Sequence, residues 1–289
     1  MASLMTNASA MTALQTLNTI SKNMATTQSR ISTGLRVGEA SDNAAYWSIA
    51  TSMKSDNKAL SSVQDALGLG AGKIDTAYTG INEVIDTVDK IKQKLVTARG
   101  ASQEDQEKIQ GEINALQAHI TSVVGNSNYA GSNIIQDNTD VNIVASYNRS
   151  GATVTIDEIT LTGANVLVLD AAGTGGSAAS VVAAALFDAS GGQVGDAAID
   201  SALGTVETAL ASLADQAAEL GAAKSRVDLQ KDFVGKLSDA IERGVGQLVD
   251  ADMNEESARL SALQVQQQLG IQALSIANSN SQNILSLFR

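Results

Sequence analysis

The chain has 289 residues, long enough to bury a substantial core, and contains neither proline nor cysteine. Without cysteine there are no disulfides, iron–sulfur clusters or thiolate zinc sites, and without proline no helix interior is broken. A formal net charge of −12 argues against a surface for nucleic-acid phosphates.

Charge is unevenly distributed. Residues 1–136 carry 11 basic and 12 acidic side chains, and residues 201–289 carry 7 and 11. Residues 137–200 hold 8 acids against Arg149 alone, so the middle is the like-charged, strongly solvated part. Residues 1–21 and 260–288 have no charged side chain at all. Neither end contains an apolar run near the roughly 20 residues of a spanning helix, so a membrane is not an expected partner. The start lacks a basic and then apolar stretch, so no cleaved secretory signal is expected.

Helical periodicity opens the chain. Leu17, Ile20, Met24, Thr27 and Ile31 step by three and four, with Leu4, Met11 and Leu14 upstream. From Leu60 to Leu95 a 3-4 seam runs for about five heptads through Val63, Leu67, Gly70, Ile74, Ala77, Ile81, Val84, Val88 and Ile91. Arg99 to Ser102 breaks it, and Ser102 is placed to cap a second helix with Ile109, Ile113, Leu116, Ile120 and Val123 on one face. A short turn between two helices predicts that they lie antiparallel. Between about 129 and 195 the period changes: Val141–Ala145, Thr153–Ile156, Ile159–Leu161 and Val166–Leu169 are short β-branched runs separated by turn residues.

Helical spacing returns with Ile199, Leu203, Val206, Leu210, Leu213, Ala217 and Leu220, and continues to Leu248. The last segment bears two stripes. One is Leu260, Leu263, Leu274, Ala277, Ile284 and Phe288; the other is Val265, Leu269, Ala273, Ile276 and Leu287. One apolar face suffices for a helix with one neighbour, so two faces point to one partner within the chain and another in a second copy. The predicted fold is mainly α: a long antiparallel helical bundle or coiled coil from the N- and C-terminal segments, with a small antiparallel β region inserted mid-chain.

At this point the residues resemble bacterial flagellins. The stretches that carry the resemblance are Ser29-Arg30-Ile31-Ser32-Thr33-Gly34-Leu35-Arg36-Val37, then Ala40-Ser41-Asp42-Asn43-Ala44-Ala45, and Asn283-Ile284-Leu285-Ser286-Leu287-Phe288-Arg289 at the end. The run from Val37 to Trp47 is similar to alphaproteobacterial flagellins of the rhizobial and agrobacterial type. The resemblance implies a structural, non-enzymatic subunit that polymerises into the flagellar filament for motility, outside the cell. It implies export in an unfolded state by the flagellar type III apparatus. Implied partners are further copies of the chain, sister flagellins, an export chaperone, the filament cap and hook-associated proteins. It also implies an inner core from 1–43 and 250–289, an outer helical core from 44–136 and 196–249, and a surface-exposed variable region at 137–195. A hook–filament junction protein is the alternative, because it shares the terminal helix pattern. Fourteen of the 29 residues 260–288 are Ser, Asn or Gln, which suits a helix that lines a transport channel.

No catalytic, cofactor-binding or metal-ligating set is expected. Gly68 to Ile74 fails the phosphate-loop spacing, His119 is the sole histidine, and the Asp137–Asn142 run lacks the glycine and glutamate of a calcium loop. Tyr46 and Trp47 have two readings, core packing or a contact between subunits. Residues 29–50 align with the segment that plant immune receptors read in other flagellins, with departures at Ser41, Asn43 and Tyr46-Trp47 beside the matching Arg30 and Asp42. Asp89–Val96 aligns with the stretch an animal Toll-like receptor reads, but Lys90 and Lys92 replace arginines and Gln93 replaces glutamate. Lysine lacks the planar fork of arginine, so host immune receptors are not expected partners.

Overall fold

The computed structural model describes residues 7–151, 153–182 and 194–287, with side-chain environments described as far as residue 279. The elements follow in the order α1 (Ala8–Thr33), α2 (Ala44–Ala98), α3 (Gln103–Asn126), β1 (Val141–Ser150), β2 (Thr153–Leu161), α4 (Gly163–Val166), α5 (Ala179–Val182), α6 (Asp196–Val249) and α7 (Met253–Leu287). They form two compact units. One joins the two ends of the chain, up to Asn57 and from Asp239; the other comprises Lys58–Ser238.

In the second unit the predicted seam of α2 is the core. Leu67, Ile74, Ile81, Val84, Val88, Ile91 and Leu95 are all fully buried. Cross-helix pairs set the directions. Lys94 meets Glu112 and Glu83 meets His119, so α3 returns antiparallel to α2. Arg99 pairs with Asp200, Lys92 with Glu207 and Asp75 with Lys224, so α6 is antiparallel to α2 as well. The turn into α3 is capped as expected, with the Ser102 hydroxyl accepting from the Asp105 amide. On α6 the buried stripe is Ile199, Ala202, Val206, Ala209, Leu213, Gln216 and Leu220, while Leu203, Leu210 and Ala217 are only half buried. Ile199, Val206, Leu213 and Leu220 thus hold the expected seam, while at the intervening positions it runs one residue earlier, through Ala202, Ala209 and Gln216.

The β region is one hairpin instead of four short runs. β1 and β2 pair antiparallel from Val141↔Leu161 to Ser150↔Thr153, with an irregularity between Val144 and Ser146. Thr153–Ile156 and Ile159–Leu161 therefore belong to one strand. Val166–Leu169 lies outside any strand: Val166 ends the single turn α4, and the amides of Val168 and Leu169 donate to the Ile135 carbonyl. Val166, Val168 and Leu169 are buried, so these apolar side chains serve packing and not a ladder.

Glycines of the Gly68–Ile74 run allow close approach. A Cβ on Gly70 would lie 2.5 Å from Ile143 Cγ2 of β1, and one on Gly72 would lie 2.8 Å from the Tyr129 ring. Glutamine side chains hold the rest of the insert by its main chain. Gln106 is fully buried; its amide nitrogen donates to the carbonyls of Ala98 and Val194, and its oxygen accepts from the Val194 amide at 2.9 Å. Gln117 donates to the Val181 carbonyl, Gln216 to that of Leu167 and Gln230 to that of Ala145.

In the first unit, Gly34 ends α1 with φ +73°, a left-handed conformation that favours glycine, and its amide reaches the Arg30 carbonyl. The next residues stitch the two ends together. The amides of Arg36 and Val37 donate to the Val249 carbonyl, and the Ala251 amide donates to that of Gly34. Val37, Ala50, Val245 and Val249 form a small buried cluster there, with Leu35, Met53, Ile241 and Leu248 packed against it.

Candidate functional site

The paired ends α1 and α7 are the candidate site, and the 3-4 spacing of their side chains builds it. The covered face of α1 is Ala10, Ala13, Leu17, Ile20, Met24, Thr27 and Ile31. On α7 it is Glu256, Leu260, Leu263, Gln267, Gly270, Leu274 and Ala277. Both step by three and four residues over three heptads, the geometry of a coiled-coil seam. The helices pack antiparallel. Asn7 Nδ2 donates to the Ala277 carbonyl at 2.9 Å, and Arg30 Nη1 donates to Glu256 Oε1 at 3.1 Å. Between them Leu17 fills the notch left by Gly270, where a Cβ would lie 3.2 Å from Leu17 Cγ.

A second apolar set stays open. Met11 and Leu14 on α1 and Val265, Leu269 and Ile276 on α7 are all more than half exposed, Ile276 at 62%. The structure therefore divides the residues picked from the sequence into two sets. Leu17, Ile20, Met24, Ile31, Leu260, Leu263 and Leu274 meet in the seam, whereas Met11, Leu14, Val265, Leu269 and Ile276 face away from it. Leu4 and Phe288 lie outside the described residues, as do the side chains of Ile284 and Leu287. Ile271 was missed and belongs to the open surface. Glu256, Gln267 and Gly270 were missed in the seam because they are not apolar, although extending the Leu260–Leu263 spacing both ways reaches them.

Tyr46 and Trp47 open α2 and lie outside the buried cluster beside them, Trp47 at 38% exposure. Neighbouring polar residues shape the backbone. Asp42 Oδ2 accepts from the amides of Gly38 and Glu39, Asn43 Oδ1 caps α2 by accepting from the Tyr46 amide, and Ser41 donates to Glu39. Farther along α2, Lys90 is exposed and Gln93 donates to Asp89 at 2.7 Å. Lys92 bonds the Glu207 carboxylate, which holds its ammonium above the usual lysine range.

Residues 4–140 match the bacterial flagellin N-terminal helical region, and residues 203–288 match the bacterial flagellin C-terminal helical region. The chain belongs to the bacterial flagellin family. It is 62% identical to the flagellin of Brucella melitensis biotype 1 over 294 aligned positions, with all of both chains covered. It is 45% identical to flagellin C of Rhizobium meliloti strain 1021 over 321 positions and 42% identical to flagellin A of Rhizobium meliloti over 396, again across both full lengths. A solved Vibrio parahaemolyticus structure, assigned to the flagellar hook-associated proteins, covers 72% of this chain and all of its own, with a TM-score of 0.56 at 14% identity; it shares the fold. As a flagellin, this chain is a structural subunit of the flagellar filament, and motility follows from that identity. Full-length identity to flagellins disfavours the junction-protein alternative.

Among the described residues, no helix is long and apolar enough to cross a membrane, and no three His, Asp or Glu side chains are grouped to hold a metal ion.

Proposed function

We propose that this flagellin polymerises with further copies of itself through the open apolar surface of α1 and α7, while the closed seam pairs the two ends of each chain. The observation that carries this is the half-covered state of two helices whose outer stretches, within residues 1–21 and 260–288, carry no charge. Met11, Leu14, Val265, Leu269 and Ile276 remain more than half exposed in the single chain, and burying what is left of each is worth about 1–2 kcal/mol. With no charge to desolvate on those stretches, association costs little electrostatically. Residues 1–43 with 250–289 form the inner core of the filament, 44–136 with 196–249 surround it, and the acidic 137–195 face outward. The exposed Tyr46 and Trp47 supply a further contact between copies.

The subunit acts outside the cell. It is exported unfolded by the flagellar type III apparatus with an export chaperone, and it is added beneath a filament cap beyond the hook-associated proteins. It works without an enzymatic site or cofactor. Lack of cysteine and proline suits a chain that must be threaded and then become continuously helical. The test is electron microscopy of purified subunits after seeding. Wild-type chains give long helical filaments, and Leu269→Asp chains stay monomeric with the helix content of Lys58–Ser238 retained. Filaments of normal length from Leu269→Asp would remove α7 from the interface.

A further inference from the structure

Among the described residues, the seam between α1 and α7 contains charge at one place only. Of the charged residues on the described parts of the two helices, Lys22, Glu255 and Arg259 are exposed, while Glu256 is nearly fully buried and Arg30 partly so. Arg30 and Glu256 face each other at 3.1 Å, with Arg259 Nη1 at 3.5 Å from the same oxygen. The other oxygen, Glu256 Oε2, is buried and has no hydrogen-bond partner. A buried pair with an orphaned acceptor is a poor device for stability, because well-packed apolar side chains do as well or better there. The rest of the seam is undemanding: alanine, glycine, threonine and glutamine interleave with a few large residues, a surface many helices could cover.

We propose that Arg30 and Glu256 are positioning residues that determine which helix pairs with which, enforcing α1 against α7 and rejecting pairs of like helices. This deepens the filament reading and rests on it. In a polymer every neighbour offers the same two seams at high local concentration, so tethering within one chain does not by itself discriminate. The α1 seam carries one positive charge and the α7 seam one negative. Two α7 helices in parallel would bring two buried carboxylates together, and two α1 helices would do the same with guanidinium groups. Antiparallel like pairs would strip Arg30 of its carboxylate and leave the buried Glu256 with only the longer 3.5 Å contact to Arg259 of its own helix. All four arrangements are penalised, and only the unlike pair gives both Arg30 and Glu256 the close 3.1 Å partner, as single polar positions select partners in coiled coils. The orientation also agrees with the helix dipoles, since Arg30 lies in the last turn of α1 and Glu256 in the first turn of α7.

The native chain has no cysteine, so one introduced thiol reports the pairing. Leu263→Cys places it in the closed seam, and filaments are oxidised and run on non-reducing gels. With Arg30 and Glu256 present, the chains run as monomers. In Arg30→Leu/Glu256→Leu, which removes the charges and keeps the seam apolar, disulfide-linked dimers appear and make up a major fraction. Should that chain not polymerise, Glu256→Gln, which keeps the volume, goes through the same assay with the same expectation. Monomers alone in the charge-free seam would show that the pair acts only on stability and would overturn the proposal. So would equal dimer yields with and without the pair. Failure of the wild-type chain to form filaments would instead sink the assembly reading beneath it.

Discussion

Gly70→Ala and Gly111→Ala make the same chemical change in two helix interiors and should move stability in opposite directions. Replacing glycine by alanine in a helix gains about 0.8–1 kcal/mol of propensity wherever the added methyl meets nothing. Gly111 on α3 is such a place, with open space around the position. At Gly70 the methyl would lie 2.5, 2.9 and 3.0 Å from Ile143 Cγ2, Cδ1 and Cγ1. Optimal carbon–carbon separation is about 3.5–4.0 Å, so Ile143 must retreat by about an ångström. It has little room to do so, being 4% exposed, β-branched and paired with Ile159 in the hairpin. Overpacking costs about 1–3 kcal/mol, and three contacts at 3.0 Å or less place Gly70 in the upper half, about 2–3, which exceeds the propensity gain and leaves Gly70→Ala about 1–2 kcal/mol less stable. For a unit the size of Lys58–Ser238, each kcal/mol moves the melting temperature by about 2–4 °C. The melting temperature of the purified monomer, followed by circular dichroism at 222 nm, should therefore fall by about 2–8 °C for Gly70→Ala and rise by about 2–4 °C for Gly111→Ala. Adding Ile143→Ala to Gly70→Ala should cost less than Ile143→Ala alone, with a coupling of about 1–3 kcal/mol. Parallel increases for both glycine variants would refute the close-approach argument and show that the hairpin yields.

Trp47→Ala should leave secretion and monomer melting unchanged, and it should lower the temperature at which filaments dissociate, because central aromatic contacts are worth about 2 kcal/mol or more. An unchanged dissociation temperature would return Trp47 to the ordinary surface. Gln106→Leu removes the partner of both polar groups of Val194, and at about 1–3 kcal/mol per orphaned group it should speed hydrogen exchange at the Val194 amide and lower the monomer melting temperature. At Asp170, the amides of Thr174 and then Gly175 hold the carboxyl below the usual carboxylate range. A depressed folded-state pKa means that the stabilisation is complete above the ordinary value of ~3.9 and is lost as pH falls through the lower folded value. Exchange at the Thr174 amide should accordingly be flat from pH 7 to 5, once corrected for intrinsic rates, and accelerate below about pH 4. Asp170→Asn should remove that acid dependence.

Much of the fold was written in spacing. The α2 seam from Leu60 to Leu95, the Ser102 cap and the break before α7 follow from apolar periodicity and capping chemistry, which are local. The hairpin was partly visible, because β-branched runs mark extended chain, but joining two runs into β2 depends on the partner strand. Val166–Leu169 misled for the same reason: short apolar runs fit a strand and a buried loop equally well. On α6 the spacing found Ile199, Val206, Leu213 and Leu220, but between them it chose Leu203, Leu210 and Ala217 where the smaller or polar Ala202, Ala209 and Gln216 are the ones covered. In the terminal pair, large residues announced themselves while Glu256, Gln267 and Gly270 did not, since their burial depends on what the opposite helix presents. Whether Met11 and Val265 faced inward or outward was equally a property of the pair.

The glutamine clamps have a consequence for how this protein can change over time. Gln106, Gln117, Gln216 and Gln230 grip carbonyl and amide groups, which every residue type provides. A side-chain substitution between 137 and 195 therefore leaves the grip itself untouched, while a single change at one of the four glutamines on the helices is felt at once. Sequence can drift in the acidic middle at little cost to the way that segment is held, because it is held by its backbone.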